Sequence, residues 1–74
     1  MYPVLNSIAE NMQDEAEAIA GYTSLLCIAQ DELDPKDFMN LYATVSEIIS
    51  DELNHVTKLQ VLYSLFSDIE AGAE

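Results

Sequence analysis

The chain has 74 residues, half of them hydrophobic, and carries 14 acids against two lysines and no arginine, for a net charge of −12. A surface of that sign repels the phosphates of nucleic acids and the headgroups of anionic lipids, so neither is expected as a partner, and no apolar run is long enough to cross a membrane. The lone Cys27 rules out an intrachain disulfide and any cysteine-rich zinc knuckle.

A chain this short makes one domain, here 1–74, and buries little surface by itself, so oligomerisation is expected. No positively charged leader precedes an apolar segment at the N-terminus. The expectation is a cytoplasmic protein, free or held inside a protein compartment.

The first predicted element is a helix over about 3–31. Pro3 suits a first helical turn, and from there Leu5, Ile8, Met12, Glu15, Ile19, Tyr22, Leu26, Ala29 and Leu33 recur in alternating steps of three and four, on one helical face. Gly21 is the weak point, costing about 1 kcal/mol relative to alanine. It permits either a close helix approach beside Tyr22 or a local bulge. Cys27 falls beside the stripe and reads as a small buried hydrophobe.

The pattern stops at Asp31-Glu32-Leu33-Asp34-Pro35, where Asp34 suits an N-cap and Pro35 the first position of a second helix. Asp37 lies in its first turn, where negative charge favours the helix dipole. That helix is predicted over about 35–69, with Gly72 marking its end. Its stripe is Phe38, Leu41, Val45, Ile48, Glu52, His55, Leu59, Leu62, Phe66 and Ile69. The fold class is therefore all-α, a two-helix antiparallel hairpin.

Three residues interrupt the stripes: Glu15 in the first, Glu52 and His55 in the second. An ionisable group on such a face is desolvated and needs a proton, a cation or a dense set of donors. Folding the chain about Leu33 and Asp34 brings to one height those positions whose numbers sum to about 67. Glu15 and Glu52 meet that condition, and His55 is one turn further on, level with Met12. All three interruptions thus share one level of one groove.

Glu52 and His55, spaced i to i+3, point the same way and can both reach one cation. A hairpin offers two carboxylates and one imidazole; a two-fold homodimer makes a four-helix bundle with four carboxylates and two imidazoles, the ligand set of a two-metal carboxylate site. Such hard donors suit iron or manganese, with zinc as a further candidate. Metal would neutralise charge that opposes dimerisation, so binding and assembly should be linked. The bland alternative is a satisfied core histidine in a polar layer.

At these residues the chain resembles the ferritin-like superfamily, in particular its rubrerythrin and bacterioferritin branch. The first helix carries Glu15-x-x-Ala18-Ile19-x-x-Tyr22 and the second Asp51-Glu52-Leu53-Asn54-His55, both similar to the metal-bearing helix pairs of that family. Family members usually hold two such pairs joined by a long crossover, whereas one pair is present here. The chain looks like half a ferritin-like bundle, similar in principle to the encapsulated ferritins, whose two-helix units complete the iron site across a dimer interface.

The resemblance implies Glu15 as a terminal ligand, Glu52 as a bridging ligand and His55 as the nitrogen ligand of a di-iron centre with two ions per dimer. It also implies that Asp51 orients the imidazole from the opposite pair. Tyr22, one heptad beyond Glu15, either hydrogen-bonds a ligand carboxylate or serves redox chemistry, or is a packing tyrosine. Met12, Ile19, Ile48 and Leu59 would form the dry wall, while Glu17 and Glu47 read as solvated acids, with a place beside an ion entry path the alternative for Glu47. The implied activity is oxidation of Fe(II) to Fe(III) by oxygen or peroxide for storage or detoxification. No cysteine-rich segment of the rubredoxin kind is present for a self-contained rubrerythrin peroxidase.

Beyond Leu59 the second helix is apolar nearly all round, and residues past Leu62 have no partner at their height in the first helix. Tyr42, Ile49, Val56 and Tyr63 form a further stripe at seven-residue spacing. Both features predict a homodimer as the minimal unit, with a larger homo-oligomer also open. The competing function is a non-enzymatic assembly or adaptor protein, in which Glu15, Glu52 and His55 make a hydrogen-bonded layer or a structural zinc or calcium site that fixes register.

Overall fold

The computed structural model describes residues 2–70 and Gly72. They form two long helices, α1 (Tyr2–Glu32) and α2 (Pro35–Glu70), and no strand occurs among the described residues. A 36-residue helix is about 54 Å long, and the whole molecule measures 56 × 15 × 11 Å. The helices therefore lie side by side and antiparallel, the expected all-α hairpin. Both helices extend one residue beyond their predicted ends, the usual latitude at fraying termini.

Local chemistry sets the single break. The Leu33 amide donates to the Ala29 carbonyl (2.8 Å) and closes α1. Asp34 then begins α2: its Oδ1 accepts from the Asp37 amide (2.9 Å) and its carbonyl from the Phe38 amide (2.9 Å), an N-cap with Pro35 in the first helical position. At the far end Gly72 takes φ 75°, a left-handed value that favours glycine, and its amide donates to Ile69 (3.0 Å).

The interhelical seam follows the predicted stripes. Leu5, Ile8, Ala29 and Val45 are buried, and Met12, Ile19, Tyr22, Leu26, Phe38, Leu41, Ile48, Leu59, Phe66 and Ile69 are half-buried along it. The Phe38 and Tyr42 rings pack one turn apart at 5.9 Å. No side chain is fully buried among the described residues, because two helices can cover only one stripe of each other.

That limited cover explains three departures from expectation. Cys27 is exposed, not buried: at about 100° per residue it has rotated past Leu26 and off the seam. Leu33, His55 and Leu62, all stripe members, are also exposed, so His55 is not desolvated as its place on the stripe predicts, and Leu33 lies beyond the last residue of α1. Gly21 marks neither a close approach nor a bulge, since α1 runs through it unbroken and a side chain there would meet nothing within 4 Å.

Candidate metal centre

Glu15 reaches the seam from α1, and Glu52 and His55 reach it from successive turns of α2. One donor atom from each of the three lies within 4.8 Å of the others. Two ligand atoms on a single divalent ion are at most about 4.2 Å apart, so a small side-chain adjustment brings the set to coordination distance. The three stripe interruptions therefore converge as their shared height requires.

The electrostatic environment is uneven. The Glu15 side chain is 26% exposed, and its Oε2, with no access to water, has no hydrogen-bond donor. It is the only such buried side-chain atom among the described residues. The nearest cationic candidate is His55 Nδ1 at 3.6 Å, beyond hydrogen-bonding range, on a ring that is 54% exposed. An orphaned buried acceptor costs about 1–3 kcal/mol. A cation between Glu15, Glu52 and His55 would remove that cost.

The donor set fits a hard or borderline divalent ion: two carboxylates, one imidazole and no thiolate. Three donors leave coordination positions open on one hairpin. His55, the more exposed member, leaves the group accessible from outside the seam.

The remaining sequence candidates are arranged around this group. Met12, Ile19, Ile48 and Leu59 are half-buried along the same seam, above and below it. Tyr22 is half-buried on the inward row of α1, and Asp51 is exposed on α2; among the described residues no hydrogen bond joins either to Glu15, Glu52 or His55. Glu17 and Glu47 are exposed, and Glu17 accepts a 3.2 Å hydrogen bond from Gln13.

One feature escaped sequence reasoning. Beside the three donors runs an open apolar groove of about 380 Å³, lined by Ala9, Met12, Gln13 and Ala16 from α1 and Val56 and Tyr63 from α2. Its signal lies in two seven-residue spacings: small residues at 9 and 16 face large ones at 56 and 63. Only the second spacing stands out in the sequence. Set against models of known protein families, curated proteins and solved structures, the chain matches none of them. The chemistry of the site rests on its own geometry.

Proposed function

We propose that the chain is a ferritin-like di-iron protein that oxidises Fe(II) to Fe(III), with the iron site completed across a homodimer that forms a four-helix bundle. The observation that carries this reading is the stranded Oε2 of Glu15, grouped with donor atoms of Glu52 and His55 within 4.8 Å. Iron enters as substrate. Two Fe(II) ions give up one electron each, and dioxygen takes both with two protons to leave as hydrogen peroxide; with peroxide as oxidant the same two electrons and two protons yield water.

The protein's part is to bind, orient and exclude. Glu15 and Glu52 supply anionic oxygens that favour the higher charge of Fe(III) over Fe(II), which lowers the energy of the oxidised product. His55 supplies a neutral donor, and Asp51 of one copy would hold the imidazole of the other in one tautomer. Met12, Ile19, Ile48 and Leu59 keep water from the flanks of the group. Storage or detoxification is the purpose this chemistry serves, with larger assembly or an enclosing compartment supplying any mineral space.

The test is to load purified protein anaerobically with Fe(II), admit air and follow Fe(III) absorbance for the parent and for Glu52→Ala. Oxidation above the buffer rate in the parent, falling at least tenfold in the variant, is expected. Equal rates in both would overturn the reading. The 3.6 Å approach of His55 to Glu15 favours a second reading, a polar layer or structural zinc or calcium site in a non-enzymatic assembly protein. That alternative requires the assembly to persist with no iron turnover.

A further inference from the structure

The two flanks of the hairpin differ in charge. On α1 the two seven-residue rows next to the seam on the groove side are Tyr2, Ala9, Ala16, Thr23, Gln30 and Asn6, Gln13, Ala20, Cys27. None of the nine is charged. On α2 the matching rows, between Met39 and Tyr63, hold Tyr42, Ile49, Val56 and Tyr63 beside Met39, Ser46, Leu53 and Gln60, again without a charge. The two matching rows of the opposite flank carry Asp14 and Glu32 on α1 and Asp37, Glu47, Asp51, Lys58 and Asp68 on α2. Between Tyr2 and Ile69, no acid lies in the groove-side rows.

We infer that this uncharged flank, with the groove at Ala9, Ala16, Val56 and Tyr63, is the surface on which a second copy of this chain docks. It rests on the dimer of the proposed function and names its surface. The charge pattern selects the occupant. A basic partner would be met by the acids, and this flank offers none; a copy of the same acidic chain approaches without repulsion only where acids are absent. Shape agrees, because small side chains on α1 lie beside large ones on α2, and a patch that carries both furrow and ridge can be self-complementary about a two-fold axis.

Exposed apolar residues occur on both flanks, Val4, Leu25, Ile28, Val61 and Leu65 standing among charges on the opposite one; on this flank they stand without charges. Tyr2, Met39, Tyr42, Leu53 and Tyr63 are large apolar residues left open on this flank, and the half-buried Ile49 and Val56 lie between them. Cys27, exposed in the hairpin, becomes a small hydrophobe at the covered edge. Ala16 and Val56 are the chain neighbours of Glu15 and His55, so a copy seated in the groove brings its own donors beside the first set and fills the open positions.

Light scattering on size-exclusion fractions, in chelator and again with Mn(II), tests the surface. The parent should run at twice 8.2 kDa or a multiple in at least one buffer. Ala9→Glu and Tyr63→Glu should fall to monomer mass, while Asn11→Glu, an equal charge change on the opposite flank, keeps the parent mass. To separate loss of the surface from unfolding of the variants, the parent alone gives a second reading: alkylation of Cys27 should slow several-fold over the concentration range in which its mass rises. A monomeric parent in both buffers, unchanged mass in Ala9→Glu and Tyr63→Glu, equal loss in Asn11→Glu, or concentration-independent alkylation would each overturn the inference. Loss of dimer in the two groove variants with no iron oxidation in the parent would keep the surface and reject the iron chemistry.

Discussion

The seam between α1 and α2 has apolar levels on both sides of a polar one, and the two kinds are packed differently. Toward the open end Leu5 and Ile8, and toward the turn Ala29 and Val45, are buried, Val45 to 3% exposure. Between them Glu15 keeps an oxygen with no partner and His55 stands half in solvent. The apolar levels hold the hairpin together by removing apolar surface from water, whereas the polar one forgoes that gain and keeps a group of donors instead. Stability and chemistry are thus assigned to different turns of the same two helices.

Exchanging the characters of the two regions gives the largest expected effect. Val45→Asp places an unpaired charge in the best-packed level and should cost about 3 kcal/mol or more, enough to abolish cooperative melting of the hairpin by circular dichroism. The reverse exchange, Glu15→Leu, should raise the stability of metal-free protein by about 1–2 kcal/mol in urea titrations. It should also remove any rise in Tm on adding Mn(II). A fall in stability would mean that Glu15 is satisfied in solution by a group outside this hairpin.

Smaller changes sharpen the contrast by acting away from both regions. Asp34→Ala removes the cap of α2 and should lower the urea midpoint by the equivalent of about 1 kcal/mol, with metal affinity unchanged by isothermal titration. Gly21→Ala, on an exposed and unobstructed turn, should stabilise by up to about 1 kcal/mol and leave iron oxidation at the parent rate. A destabilising Gly21→Ala would reveal that something approaches this turn in the assembled protein.

Much of this arrangement was legible in the sequence because it depends on few quantities. A rise of about 1.5 Å per residue and one capped break suffice to place Glu15 level with Glu52, and the i to i+3 step adds His55 to the same side. The exposure of Cys27 and Leu62 was not legible, since it depends on how much of each helix a neighbour covers, and one neighbour covers a single stripe. The groove was hidden for a related reason. Alanines at 9 and 16 carry little signal in one dimension, and they become a furrow only when Val56 and Tyr63 stand beside them. The di-iron chemistry and the dimer remain proposals that the variants above decide.

The two-residue connection at Leu33 and Asp34 has a kinetic consequence. It tethers α1 and α2 tightly at one end, so a pair such as Ala29 and Phe38 closes a short loop, whereas Leu5 and residues near Leu62 close one of more than fifty residues. Loop entropy grows with that length, and the hairpin should zip from the turn outward, with the Glu15 level forming midway. Leu5 and Ile8 then act as a clasp at the end where connectivity gives no help. Amide exchange should be slowest near the turn, and Leu5→Ala should release the open end first, so that the last turns of α2 exchange before the level of Glu52 is disturbed.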